Sequence, residues 1–470
     1  MTADTTRAAD LPRDEVREGE LFGHPKGLSY LFGTELWERY GHYGLLALLV
    51  LYMVNYLFQP GHVEQVLLYT PIKSGFESVF GPLSTQAFAS QIYGVFIGLV
   101  YFAPFFGGIV ADRILGQRKA VIWGAVFMAV GYFMLGVESL FFLSFPALII
   151  GNGLFKPNIS TQVANLYKPG DPRHDRAFSI FYVGINIGGV LGPFICGYLG
   201  EVVGWAYGFI SVGVGLVLAL VIYLYGLRFV PQDNLTRTRA EHKEQRPLSD
   251  QEKKAAGALV ILTVLSAFFW AAWYLQFDTM NLWADVHTDR DINLFGWHTT
   301  IPTTWFQMVN GFFIFGLTPI ITRIWARQAQ AGREPSTVIK MAIGCFLLSA
   351  SFLFMLIPVA LLGADGRTGM IWLILFYGIY TAGELYVSPV GLALVTKVAP
   401  ARIVSMMMGV WFIAYFIGGY LAGLMGSYWE AMPMSRFFII VAIVPALAGL
   451  AIWAFDRPLK PILDEKRSYS

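Results

Sequence analysis

Twelve times along this 470-residue chain an apolar run continues for about twenty residues or more, the length an α-helix needs to cross a bilayer. The runs lie near 28–56, 87–111, 119–142, 144–167, 177–200, 204–229, 255–283, 300–325, 337–362, 370–396, 403–427 and 435–456. Inside lipid every backbone N–H and C=O must be satisfied within the segment, so runs of this length fold as helices. The expected fold class is therefore an all-α membrane protein with twelve transmembrane helices. Only 14% of the residues are charged, against about 25% in a soluble domain. An aromatic share of 16% suits interfacial belts and an apolar cavity lining.

Lys and Arg set the orientation. With the N-terminus in the cytoplasm, the far side holds only Lys73, Arg290, Arg367 and Arg436. Every other basic residue except Arg39 and Lys156 falls in the tails or in loops on the near side, among them Arg7, Arg13, Arg17, Arg402, Lys466 and Arg467. That bias predicts both termini cytoplasmic. Residues 1–27 read as a polar cytoplasmic tail without the apolar core of a signal peptide, leaving the first helix as the insertion signal. A charged linker, 231–254, separates a six-helix half at 28–230 from another at 255–456, and 457–470 form a second tail. The linker is too short to hold two further spans. Cys196 and Cys345 lie in apolar segments, so no disulfide framework is implied. No basic block with interleaved aromatics points to nucleic acid. No GxSxG, HExxH, P-loop or paired intramembrane His/Cys is present, which argues against a membrane enzyme and leaves no cofactor or metal expected.

Five charges remain that loops cannot explain: Glu35, Glu38, Arg39, Lys156 and Glu384. Charge inside a bilayer marks a functional site facing a bundle interior or a wet cavity. Glu35 and Glu38 are i,i+3 and Glu35 and Arg39 are i,i+4, so the three share one helical face. The charges sit on the first, fourth and tenth helices, which correspond in folds built from three-helix repeats. Asp278 is read as near enough to the outer end of the seventh helix to reach water.

Lys156 stands before Pro157 in GNGLFKPN (151–158), mid-helix. It is either a snorkelling lysine on a kinked helix or a buried functional cation. Glu384, in GELYVSPVGL (383–392), is either held neutral by its surroundings or charged and paired with Lys156. Tyr182 and Asn186 on the fifth helix, with Asn310 on the eighth, are pocket polar groups or interhelical glue. Trp270, Trp273, Tyr274 and Trp411 suit either a pocket or the core. The loop GIVADRILGQRK (108–119) resembles the signature between the second and third helices of the major facilitator superfamily, whose acid and bases can pair across helix ends.

Together ELWERYGHYG (35–44), GNGLFKPN, FYVGINIG (181–188) and GELYVSPVGL resemble the proton-dependent oligopeptide transporters, in the right order from about Leu28 to the last helix. The resemblance implies the major facilitator fold of two six-helix bundles, and import of di- and tripeptides by proton symport through alternating access. It implies proton coupling by Glu35, Glu38, Arg39 and Glu384. Arg39 and Lys156 would meet the peptide carboxylate and Glu384 its ammonium. Tyr43, Tyr101, Tyr182, Asn186 and Asn310 would line the pocket with polar groups, and Trp270, Trp273, Ser388 and Trp411 would surround the side-chain pockets. The expected partners are peptide, protons and lipid, the expected state is a monomer, and the expected location is the bacterial inner membrane.

Three positions depart from the family pattern. His42 replaces a tyrosine, and serves either proton traffic or pocket hydrogen bonding. Leu46 replaces an arginine and Tyr274 an acid, the two members of the family's outer gate pair. Losing both leaves no orphan charge. The outer gate is therefore expected to close by apolar packing, with looser dependence on protons. The alternatives kept open are a different small solute (nitrate, another anion or an amino-acid-like compound), a facilitator with weakened coupling, and a sensor without transport.

Overall fold

The computed structural model describes residues 19–21, 23–168, 171, 173–233, 249–294, 296–400 and 403–464. Residues Arg7, Arg13, Arg17, Arg402, Lys466 and Arg467 and most of the linker lie outside them. Each apolar run folds as a helix: α1 Lys26–Leu57, α2 Thr85–Leu115, α3 Gln117–Leu135, α4 Glu138–Asn165, α5 Arg176–Val203 and α6 Trp205–Phe229. The second set is α7 Asp250–Val286, α8 Thr303–Gln330, α9 Thr337–Ala360, α10 Ile371–Val398, α11 Met406–Gly426 and α12 Met434–Pro458.

Several ends differ from expectation: α3 stops at Leu135 rather than 142, α4 starts at Glu138 rather than 144, and α8 runs to Gln330 rather than 325. α7 starts at Asp250, inside the expected linker, because Ser249 and Glu252 form a reciprocal capping box. The last helix runs on through Asp464, past the expected tail boundary. Several short elements were not anticipated, among them strand pairs at Glu20–Leu21/His24–Pro25 and Thr288–Asp289/Thr368–Gly369. A short helix, Tyr69–Phe80, follows α1 with no residue fully buried. A hairpin pairs Asp291–Leu294 with Trp297–Thr300, where the eighth run was expected to begin at 300.

Helix pairing repeats with a shift of six. α1 lies on α5 and α6, α2 on α4, and α3 on α4 and α6; α7 lies on α11 and α12, α8 on α10, and α9 on α10 and α12. Glycines permit the closest approaches. A Cβ at Gly151 would lie 2.8 Å from the Gly124 carbonyl oxygen between α4 and α3, and one at Gly383 would lie 2.8 Å from the Gly344 carbonyl oxygen between α10 and α9. Small residues at such crossings let helix backbones touch where lipid offers no hydrophobic drive to association. The two halves meet along α2–α11 and α5–α8. On α2–α11 a Cβ at Gly94 would sit 2.6 Å from Gly423 Cα, so main chain meets main chain there.

Gly116, between α2 and α3, needs its positive φ of 80° for the turn. Beyond it Arg118 donates to the carbonyls of Leu227 (2.9 Å), Pro231 (3.1 Å) and Val230, and so caps the end of α6. Arg118 thus ties helix ends within one half. On the same side Arg173 donates to Asp171 and to Glu20, and holds the Asp171 carboxyl below the usual carboxylate range.

Candidate functional site

The centre is built first on α1. Gly188 of α5 faces it so closely that a Cβ would stand 2.7 Å from Arg39 Cβ. Glu35, Glu38 and Arg39 are all buried. Arg39 meets Glu38 as a fork, Nε to Oε2 at 2.5 Å and Nη2 to Oε1 at 2.7 Å, and its Nε lies 3.3 Å from Glu35 Oε1. Glu35 Oε2 has no hydrogen-bond partner. The expected common face is present, and the guanidinium is already engaged by carboxylates of its own helix.

Lys156 enters from α4. Asn152 donates to the Val100 carbonyl at 2.7 Å, and a Cβ at Gly153 would lie 2.9 Å from that of Ala103, so α4 is fixed against α2. The Lys156 ammonium stands 4.4 Å from the Tyr101 ring centroid, a cation–π geometry. It forms no ion pair among the described residues, so the pairing with Glu384 considered above is absent. Tyr101 Oη lies 3.4 Å from His42 Nε2, and the His42 ring stands edge-on to Tyr43 at 5.4 Å. His42 is thus a buried member of this pocket.

The other half supplies the acid. Glu384 Oε2 accepts from Asn310 Nδ2 at 2.8 Å, and the same amide donates to Thr381 Oγ1 at 2.9 Å. Its other neighbours are aromatic. Trp270 and Trp273 pack at 5.2 Å, Trp273 stacks on Tyr380 at 6.4 Å, and the Tyr380 hydroxyl donates to the Trp273 carbonyl. Trp411 lies over Gly391, where a Cβ would come within 2.3 Å of the indole. The indole N–H groups of Trp270, Trp273 and Trp411 are buried without partners. Tyr415 joins the halves, 5.3 Å from Tyr101 and 4.2 Å from Trp270. The sequence reading missed it, although it follows Trp411 by four residues and so shares its face. Ser388 is half-buried one turn beyond Glu384. Tyr182 is exposed, and Asn186 donates at 2.8 Å to the Tyr182 carbonyl on its own helix, so this amide contact lies within α5.

The far side, opposite the termini, is closed, and not by apolar packing alone. Leu46 and Tyr274 are buried as expected, with the Tyr274 ring 5.8 Å from Tyr101. Beyond them the seam is polar. Asn281 donates to the Ala47 carbonyl at 2.9 Å and Gln307 donates to Asn281 at 2.6 Å. Glu201 of α5 accepts from the backbone N–H groups of Thr303 (2.7 Å) and Thr304 (2.8 Å) at the start of α8. Arg290 stands 3.9 Å from Glu201 and 3.0 Å from Asp285. Asp278 does not reach water: it is 0% exposed and accepts from Ser90 of α2 at 2.7 Å. The linear distance to the helix end misled the reading, since α7 continues to Val286 and α2 and α11 cover the carboxyl.

The centre thus holds Lys156 and the carboxylate-paired Arg39 in one half and the Glu384 carboxylate in the other, with tyrosine and tryptophan rings among them. Among the described residues no group of His, Cys, Asp or Glu has metal-ligating geometry. The two related six-helix halves around this centre are the major facilitator architecture. A family model described as the POT family matches residues 118–246 and 239–440. A di-/tripeptide transporter of Lactococcus lactis subsp. cremoris is 30% identical over 96% of this chain and 99% of its own. The peptide transporter YePEPT of Yersinia enterocolitica is 32% identical over 87% of this chain and 89% of its own. Among solved structures, a peptide transporter POT in complex with sulfate superposes with a TM-score of 0.80 at 27% identity, covering 95% of this chain and 97% of that one. A POT family transporter in complex with 5-aminolevulinic acid gives 0.79 at 27% identity, covering 94% and 98%. The chain belongs to the POT family.

Proposed function

We propose that this protein imports di- and tripeptides by proton symport through alternating access, as a monomer in the bacterial inner membrane with both termini cytoplasmic. The orientation rests on the Lys and Arg bias, and makes the closed far side the outer side. One observation carries the cargo: a buried cation on α1 and a half-buried one on α4 belong to one half, and a buried carboxylate on α10 to the other. A zwitterion of limited length needs one of each, and bridging them joins the halves. Lys156 and Arg39 take the peptide carboxylate, Glu384 its ammonium, and Tyr43, Tyr101, Tyr182, Asn186 and Asn310 the amides between. The rings of Trp270, Trp273 and Trp411, with Ser388, bound the variable side chains. Glu35, Glu38 and Glu384 carry the coupling proton, with Arg39 as the fixed cation that the α1 carboxylates pair with or release, and His42 belongs to the same pocket. Arg39, already forked by Glu38, becomes available to a peptide once that carboxyl is protonated. This exchange is the coupling step.

The test is uptake of a labelled dipeptide into proteoliposomes, with and without an inward proton gradient, for wild type and Glu384→Gln. Gradient-stimulated uptake abolished by the substitution is the expected result. Gradient-independent uptake would replace symport by facilitated diffusion, the second reading that Leu46 and Tyr274 favour. A folded carrier with no dipeptide flux would move the cargo to an amino-acid-like or anionic solute, as suggested by the relative that binds 5-aminolevulinic acid.

A further inference from the structure

Asp278 is a buried acid that the reading above leaves without a role. It lies where both halves meet on the outer side. Its Oδ1 accepts from Ser90 Oγ at 2.7 Å, and Ser90 Oγ accepts from Gln86 Nε2 at 2.8 Å. The second hydrogen of Gln86 Nε2 goes to the Gly426 carbonyl of α11 at 3.0 Å. Every donor of this trio is therefore spent. Two buried acceptors remain empty, Asp278 Oδ2 and Gln86 Oε1. The network has no donor left for either.

No cation compensates. Among the described residues Asp278 forms no ion pair. The titratable group facing it from α2 is the Tyr93 phenol, which is engaged with the Tyr274 carbonyl at 3.0 Å. α11 presents the backbone of Gly426, where a Cβ would lie 1.9 Å from Oδ2, and α1 meets α7 here through the Ala47 carbonyl. An ionised carboxylate held in such a place, uncompensated, is strongly disfavoured, whereas a neutral carboxyl loses that penalty and adds a donor to a network that has none to spare.

We infer that Asp278 is a proton-binding site which latches the outer seam: it carries a proton when α2, α7 and α11 are closed around it, and releases it to the outside when they part. The inference uses the orientation and the carrier reading given above. External acid then favours closure by mass action, because the closed state binds a proton that the open state does not. Tyr274, fully buried one turn before Asp278 with its ring 5.8 Å from Tyr101, separates Asp278 from the central site, so this proton returns to the side from which it came. It sets the external pH at which the carrier closes, and adds nothing to the protons moved per peptide.

The test needs no cargo, so it stands or falls separately from the peptide assignment. Spin labels are placed on cysteines introduced at the exposed Gln65 and Asp289, one in each half, the native Cys196 and Cys345 being buried. Distances are measured in nanodiscs from pH 8 to pH 5 without substrate. One linked proton changes the closed-to-open ratio by up to tenfold per pH unit, so wild type should shift by more than tenfold over this range. Asp278→Asn should shift by less than tenfold and stay closed at pH 8. Asp278→Ser, less bulky beside Gly426, gives the same readout where the Asn variant fails to fold. In wild type alone, difference infrared spectra should show a protonated carboxyl gained on closure. A wild type without a pH shift, a carboxyl-free variant that still shifts by more than tenfold, or no protonated carboxyl in the closed state would each overturn the latch.

Discussion

Glu201→Gln should open the outer side. The Glu201 carboxylate spans the two halves and satisfies two backbone donors at the start of α8, at 2.7 and 2.8 Å. The first turn of a helix leaves such N–H groups without intrahelical partners and carries partial positive charge. Glutamine keeps one carbonyl acceptor but loses the second acceptor and the charge. Arg290, 3.9 Å away, keeps Asp285 at 3.0 Å and so is not orphaned. The net loss is one hydrogen bond to a charged group, about 1.5–3 kcal/mol. It falls on the closed state alone, because separation of the halves exposes both partners to water in either variant. The open-to-closed ratio should therefore rise about ten- to a hundredfold, at about 1.4 kcal/mol per factor of ten. A cysteine at Thr279, which is 0% exposed and whose hydroxyl has no partner, reports this as its rate of labelling by an impermeant maleimide from outside. A rate within threefold of that in the unsubstituted background would refute the reasoning, and a slower rate would reverse it.

Leu46→Arg places an unpaired guanidinium at a site 1% exposed, with Tyr274, at the other gate position, also buried. The cost should be about 3–5 kcal/mol, seen as a lower melting temperature or loss of the monodisperse peak in detergent. Adding Tyr274→Glu should recover much of it, and wild-type behaviour of the single variant would count against the gate argument. Gly107→Ala drives a Cβ to 1.9 Å from the Gly153 carbonyl oxygen, whereas Gly108→Ala meets nothing nearer than Pro157 at 4.0 Å. The first should lose about 1–3 kcal/mol by overpacking and the second close to nothing, read by thermal unfolding in detergent.

The spans were legible because the bilayer imposes one length and one secondary structure on every apolar run. The α1 triplet was legible because helical spacing alone fixes which residues share a face. Helix ends were less so: Ser249 and Glu252 start α7 early through a capping box whose polar letters resemble linker. Asp278 was misread for a related reason, since depth along one helix says nothing about which other helices cover it. Asn186 shows a third limit, because a side chain able to reach a neighbouring helix can equally bond the carbonyl four residues back. Tyr415 was within reach of periodicity from Trp411, but only packing shows that its ring touches both halves. The polar outer seam could not be read at all, as its partners come from five helices distant in sequence.

The bare contact between α2 and α11 has a thermal consequence. Where Gly94 meets Gly423 the bearing surface is main chain, with no rotamers to reset as one half turns against the other. If the halves rock about that contact while the seam parts beyond it, no side chain there has to change rotamer, and the activation enthalpy of switching should fall mainly on the hydrogen bonds of the outer rim. Cooling should then slow opening far more than it slows the pivot itself, and variants that weaken the rim should flatten the Arrhenius slope of transport.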